Sequence, residues 1–104
     1  MWKSKYQELK KYAEGQGLKI LIKPYSKLLD YAAMNPMASK DMHWNCPQGE
    51  VWIEKGATWK KMFFDLRHEL DEMARMERNG MEYGPAHKRA LADEYKKEVP
   101  LYSR

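Results

Sequence analysis

The chain has 104 residues, a length at which one domain with a single modest core is expected. Hydrophobic residues make up 43% of the sequence and charged residues 33%, with four Trp, seven Tyr and two Phe, a composition that excludes an intrinsically disordered chain. The 19 basic and 15 acidic residues give a net charge of +4, but they are scattered, so no basic arm for nucleic acid is indicated.

Three short elements are predicted at the start of the chain. Apolar residues at helical spacing predict a first helix over residues 3–14, which two following glycines end. Alternating apolar and charged residues predict a strand over 18–23, before Pro24. The segment YSKLLDYAA is typical of a short helix that Ser26 caps. The chain is therefore expected to open as helix, strand and helix.

The centre of the chain has the composition of turns. The segment MNPMASKDMHWNCPQG contains two prolines, two asparagines and a glycine, which predicts an irregular loop with room for one short strand near Met42–Trp44. The segment EVWIEKG then predicts a strand that Gly56 ends. In that strand Val51 and Ile53 share one face, and Trp52 lies on the other.

The longest periodic segment follows and predicts the main helix. Thr58 is placed to cap a helix from Trp59 to about Arg78, which an Asn-Gly pair ends. Its apolar stripe is formed by Trp59, Met62, Phe63, Leu66, Leu70, Met73 and Ala74.

A last helix is predicted from about Gly84 to Lys97, with His87 on its inward stripe beside Tyr83, Ala86, Ala90 and Leu91. Pro100 prevents any continuation of this helix. The order of elements predicts a single α+β domain over residues 1–104. Its small, mostly antiparallel sheet is expected to pack against the two C-terminal helices.

The middle of the main helix carries the motif HELDE, residues 68–72. His68 and Glu72 are four residues apart, so their side chains project side by side and can reach one zinc ion at about 2.0–2.2 Å. Glu69 is rotated by about 100° from His68, where it could take a proton from a water bound to the metal. His87 is a better third ligand than His43, because it faces inward on the next helix. The predicted metal ligands are His68, Glu72 and His87.

The order of EVWIEKG, a Thr-capped helix, HELDE, a glycine turn and a second helix with an inward ligand resembles the core of a zincin metallopeptidase of the small gluzincin-like type. The resemblance covers about residues 50–95. The sequence departs from the HExxH pattern at two positions. Glu72 replaces the second histidine, which gives HExxE, and His87 replaces the downstream glutamate.

This resemblance implies a zincin-like fold and a zinc-dependent hydrolase that cleaves a peptide or protein substrate. Glu69 is then the general base that activates the metal-bound water. Glu94 is expected to orient an imidazole from behind the metal, or to serve as an alternative ligand. An extended substrate is expected to pair with the strand before the helix, at Val51, Trp52 and Ile53.

Other interpretations of the same residues stay open. His68 and Glu72 lie roughly opposite the apolar stripe, beside Lys61, Asp65 and Arg75, and a charged solvent-exposed face has the same pattern. A non-catalytic module is the alternative, either stabilised by metal or binding a protein or nucleic acid through its lysines. Nucleic acid is the less favoured partner, because no RNP, GxxG or two-Cys-two-His pattern appears. Other divalent transition metals suit this ligand set as well as zinc.

A single cysteine, Cys46, excludes an internal disulfide. No apolar run reaches the roughly 18 residues that cross a bilayer, and the chain does not open with a secretory signal pattern. We therefore expect a cytoplasmic protein without a membrane partner. The sequence indicates no oligomeric state.

Overall fold

Five helices and three short strands alternate along the chain in the computed structural model, which describes residues 1–104. The elements are α1 (Trp2–Gly15), β1 (Lys19–Lys23), α2 (Tyr25–Leu28), β2 (Ala33–Met34), α3 (Pro36–Met42), β3 (Glu50–Glu54), α4 (Trp59–Asn79) and α5 (Tyr83–Ala92). The predicted α+β class is confirmed. None of the helices is both long enough and apolar enough to cross a membrane.

The three strands form a mixed sheet in the order β1-β3-β2. β1 runs parallel to β3 over five residue pairs, from Lys19 opposite Glu50 to Lys23 opposite Glu54. β2 is antiparallel to β3 and contributes only two pairs. The expectation of a mostly antiparallel sheet was therefore wrong. The connection from β1 to β3 contains α2, β2 and α3, and this length permits the crossover that parallel strands need.

β3 is the central strand, and its two faces contact two separate apolar clusters. Val51 and Ile53 are fully buried against α1 and α4, together with Leu66, Leu70 and other residues of the larger cluster. Trp52 faces the smaller cluster, which is built from Leu28, Met34, Ala38, Trp44 and Cys46. The alternation predicted for this strand is confirmed. Each large aliphatic side chain buried here contributes about 1.5–3 kcal/mol to stability.

α4 is the element on which the rest of the molecule packs. Thr58 caps it as predicted, because its hydroxyl oxygen accepts a hydrogen bond from the backbone N–H of Lys61 at 3.2 Å. Gly80 ends it with a left-handed φ of +62°, which a glycine adopts without strain. α1 packs along one side of α4, and α5 packs along another.

Two of the helix predictions were inaccurate. α2 has only four residues and Ser26 does not cap it. The chain leaves the helix at Leu29, which has a left-handed φ of +51°, after Leu28 has entered the smaller cluster. The last helix ends at Ala92 instead of Lys97, because Asp93 turns toward Arg75 of α4 and accepts a hydrogen bond from it.

The central segment is also more regular than predicted. Residues 36–42 form α3, and the short strand lies at Ala33–Met34 instead of Met42–Trp44. Asn35 caps α3 through its side-chain oxygen, which accepts from the backbone N–H of Ala38 at 2.9 Å, and Pro36 occupies the first turn. Asn followed by Pro was interpreted as turn chemistry, although the same pair is typical of a helix start.

Candidate metal centre

The structure brings the three predicted metal ligands together. Nε2 of His68 and Nδ1 of His87 each lie 2.6 Å from the same oxygen, Oε2 of Glu72. The two imidazole nitrogens are 3.2 Å apart. His68, Glu72 and His87 are named the histidine cluster, and it is the one group of potential metal ligands of this kind in the molecule.

Local structure explains why these side chains meet. His68 and Glu72 lie one turn apart on α4, and the turn after Asn79 reverses the chain so that α5 returns along α4. Ala86 and Ala90 are fully buried where the two helices touch, and their small side chains permit a close approach. Because His87 directly follows Ala86 on α5, its side chain lies beside the carboxylate of Glu72.

The three ligand atoms lie near enough to one another to surround a single metal ion. They form a triangle with sides of 2.6, 2.6 and 3.2 Å, and the circle through the three atoms has a radius of about 1.6 Å. This radius is shorter than a zinc bond to nitrogen or oxygen, which is about 2.0–2.2 Å. The three atoms therefore lie near enough to one another for a single ion to contact all of them, once the hydrogen-bonded pairs have moved apart. Two nitrogens and one carboxylate oxygen are also a donor set that suits zinc.

Both glutamates of the motif are buried, so HELDE is not a solvated face. Only 1% of Glu72 and 5% of Glu69 is exposed. A buried carboxylate is costly unless other groups pair with it, and a solvent-exposed helix would leave both side chains in water. The interpretation of this face as an ordinary charged surface was therefore wrong.

An asparagine side chain donates a hydrogen bond to one oxygen of each of these two carboxylates. Nδ2 of Asn35 donates to Oε1 of Glu69 at 3.0 Å and to Oε1 of Glu72 at 3.1 Å. Asn35 is completely buried, between β2 and α3. Sequence reasoning missed this residue, and the Asn-Pro helix start was the one signal that could have located it on an ordered element.

The protonation of the cluster follows from its surroundings. Burial alone would lower the pKa of His68, but the hydrogen bond to Glu72 and the charges of Glu69 and Glu72 outweigh it and raise this pKa to about 9. Burial, and then the charge of Glu72, raise the pKa of Glu69. At neutral pH a proton therefore holds His68 against Glu72, and a metal ion has to displace that proton in order to bind.

The histidine cluster lies at the wall of a pocket of about 150 Å³. Glu69 also lines this pocket, and its second oxygen has no hydrogen-bond partner within the protein. Tyr31, Trp44 and Tyr83 supply an aromatic part of the wall. The predicted ligands and the predicted base thus line one small pocket.

Tyr83 is placed where its hydroxyl can act in this pocket. Its ring stacks on that of His87 at a centroid distance of 5.2 Å, and its hydroxyl lies 3.3 Å from Nδ1 of His87. Burial, followed by the charges of Glu72 and Glu69, raises the pKa of Tyr83. The phenol therefore stays protonated at neutral pH and is available as a hydrogen-bond donor.

The predicted substrate strand was wrong. Val51, Trp52 and Ile53 belong to the central strand β3, which pairs with a strand on each side and has no free edge for a peptide. The strand that borders the pocket is β2, through Ala33. Sequence order could not reveal this, because β2 is only two residues long.

Glu94 lines the same pocket but is not part of the histidine cluster. It lies in the turn after α5, beyond the helix in which it was expected. Burial, followed by the charge of Glu50, raises the pKa of the Cys46 thiol to about 12, so this buried cysteine is protonated at neutral pH.

Comparisons with protein-family models, with curated proteins and with solved structures find no match for this chain. The resemblance to zincins therefore depends on the motif residues alone.

Proposed function

We propose that this protein is a zinc-dependent, peptidase-like hydrolase. In this proposal His68, Glu72 and His87 hold the metal, and Glu69 is the general base. The observation that carries the proposal is the convergence of two imidazole nitrogens on one oxygen of a fully buried carboxylate, at the wall of an open pocket. Other divalent transition metals suit the same three ligands.

A zinc ion in this position would make water a stronger acid and would polarise the carbonyl of a bound substrate. Glu69 accepts the proton of the attacking water on the oxygen that Asn35 leaves free, and passes it to the departing amine. Tyr83 donates a hydrogen bond to the oxygen on which negative charge develops.

The free edge of β2 offers a place for an extended peptide. The carbonyl of Ala32 accepts a hydrogen bond from the N–H of Glu54, and Met34 is paired with Trp52. In an antiparallel ladder these bonds alternate, so Ala33 between them directs its N–H and C=O away from β3. A peptide that adds to this edge runs along the pocket, since Ala33 lines it.

Zinc binding and hydrolysis test the proposal together. Wild-type protein should take up about one zinc per chain, and His68→Ala should lose it. Glu69→Gln should retain zinc and lose at least about 100-fold in the cleavage of a mixed peptide library, measured by mass spectrometry. Glu77→Gln, the same change at an exposed position of α4, is the matched control. Full activity of Glu69→Gln would remove Glu69 from the mechanism.

A second candidate is a module that binds an acidic partner or nucleic acid, with or without metal. Nζ of Lys5 lies 4.7 Å from the centre of the Trp2 ring, and Nζ of Lys60 lies 5.6 Å from it. Lys3 approaches Trp59, which is 43% exposed. Lysines beside accessible aromatic rings are typical of surfaces that bind single strands. Binding of an oligonucleotide that weakens steeply between 50 and 200 mM salt would favour this candidate.

We also propose that the protein acts in the cytoplasm. Its one cysteine is buried and unpaired, which fits a reducing compartment.

A further inference from the structure

Asn35 forms hydrogen bonds both to the start of a helix and to two carboxylates of the candidate site. Its side-chain oxygen caps α3 at Ala38, and its amide nitrogen donates to Glu69 and Glu72. These two carboxylates lie more than thirty positions further along the chain. One side chain thus joins the start of α3 to the two acids of α4.

We propose that Asn35 is a positioning residue that holds one oxygen of each carboxylate and leaves the other oxygen free to act. Oε1 of Glu72 accepts from Asn35, while Oε2 of the same residue meets the two imidazoles. Oε1 of Glu69 accepts from Asn35, and its second oxygen has no protein partner. This inference depends on the proposed function, because it assigns the free oxygens to the metal and to the proton of water.

The orientation of the amide follows from its neighbours on both sides. A backbone N–H requires an acceptor, and this fixes the side-chain oxygen toward Ala38. Two carboxylates require donors, and this fixes the NH₂ group toward Glu69 and Glu72. Because an amide nitrogen carries two hydrogens, it can serve both acids at the same time. A carboxylate at position 35 would repel them, and a hydroxyl offers only one hydrogen.

The amide is also held rigidly. The backbone C=O of Asn35 accepts from the backbone N–H of Ser39 at 3.2 Å, at the start of α3. The residue directly before Asn35 is Met34 of β2, which is paired with β3. Rotating the amide would break the cap of α3 and leave Oε1 of Glu69 and Oε1 of Glu72 without a donor. Groups that orient metal ligands in this way affect metal affinity strongly, although they never touch the metal.

Two substitutions at position 35 test the NH₂ donor of Asn35 separately from its side-chain oxygen, which caps α3. Asn35→Ser and Asn35→Thr both keep an oxygen that can cap α3, and threonine suits the extended backbone at this position, with φ of −131° and ψ of 158°. Neither can donate to both carboxylates. We expect each variant to bind zinc about 10–100-fold more weakly than wild type, measured by competition with a chromophoric chelator. We also expect the visible absorption bands of bound Co(II) to change.

Ser39→Ala is the matched control. It removes a buried hydroxyl that donates to the backbone C=O of Asn35. The backbone N–H of Ser39 still bonds to that carbonyl, and the side-chain amide stays bonded to both carboxylates. It should lower the melting temperature while zinc affinity and the Co(II) spectrum stay as in wild type. A cap or packing effect alone would change all three variants alike, and this outcome would overturn the inference.

The wild-type titration separates the two proposals. If wild type binds zinc and both position-35 variants match its affinity and its Co(II) spectrum, Asn35 has no positioning role and the metal site stands without it. If wild type takes up no zinc, the proposed function is wrong. The positioning role of Asn35, which depends on that function, is then wrong as well. Circular dichroism of each variant ensures that only folded protein is compared.

Discussion

α4 carries two buried groups of charged residues that lie close together but differ in their partners. In the arginine cluster, formed by Asp71, Arg75 and Asp93, Arg75 bonds to Asp71 at 2.5 Å and to Asp93 at 2.8 Å. In the histidine cluster, the partners of the buried carboxylate are imidazoles. A guanidinium keeps its charge at every relevant pH, whereas an imidazole can release its proton and offer a lone pair. The nature of the cation thus distinguishes a structural ion pair from a candidate metal site.

Removal of Arg75 should have the largest effect. Arg75→Ala leaves Asp71 buried without its cation, and one oxygen of Asp71 already has no partner. We expect a loss of about 3–5 kcal/mol in the free energy of unfolding, measured by urea denaturation. Arg89→Ala removes a mostly exposed partner of Asp93 and should cost less than about 1 kcal/mol. Similar losses in the two variants would mean that the arginine cluster contributes no special stability.

Zinc should stabilise the protein only through the histidine cluster. At a free zinc concentration of about 100 times the Kd, the free energy of unfolding should rise by about 2.7 kcal/mol, and a chelator should reverse the gain. His68→Ala should show no such gain. His43→Asn, at an exposed position with a left-handed backbone that asparagine tolerates, should behave as wild type. An equal gain in His68→Ala would place the metal elsewhere.

The metal-free protein should lose stability as the pH rises, because of the histidine cluster. The pKa of His68 is raised to about 9 in the folded state, from about 6.5 when unfolded. Its contribution is complete below about pH 6.5 and is lost as the pH passes about 9. Glu69, whose pKa is also raised, acts in the same direction. We expect a fall of about 1–3 kcal/mol over this range.

His68→Gln is the control for this pH dependence. Glutamine can still donate a hydrogen bond to Glu72, but it does not titrate. Its free energy of unfolding should change less over the same pH range. The arginine cluster contributes no slope there, since Arg75 does not release its proton. A wild-type curve that stays flat up to pH 9 would contradict the assignment.

The smallest effect is expected at the start of α4, outside both clusters. Thr58→Ala removes the cap on the N–H of Lys61 and should cost about 1 kcal/mol of stability. Zinc affinity should not change, because the cap lies more than two helical turns before His68. A parallel loss of zinc affinity would show that zinc binding depends on the stability of the whole of α4. The histidine cluster could then not be treated as a local unit separate from the arginine cluster.

The proximity of His68, Glu72 and His87 could be predicted from sequence, because their contacts are nearly local. His68 and Glu72 lie one helical turn apart, and a short turn determines how α5 returns with His87. The role of Asn35 could not be predicted in this way. It depends on a two-residue strand and on a seven-residue helix, both of which are too short to leave a clear hydrophobic period.

The burial of charged residues on α4 could not be predicted from the sequence either. Asp71, Glu72 and Arg75 have the spacing of a solvated helix face, and hydrophobic periodicity assigns such residues to water. In the fold, α5 and the turn after it cover this face. Glu72 meets His87 of α5 and Arg75 meets Asp93, whereas Asp71 bonds to Arg75 of the same helix. The main helix and its cap were predictable, whereas tertiary contacts decide which of its charged residues are buried.

Because of the cap of α3, hydrogen exchange at Ala38 can serve as a remote probe of the pocket. The backbone proton of Ala38 is bonded to the same amide that holds Glu69 and Glu72. Any event that releases or tightens the amide must alter how readily this proton exchanges with solvent deuterium. Ala38 belongs neither to the histidine cluster nor to the pocket wall, yet we expect its exchange rate and its NMR resonance to report on the state of the two carboxylates.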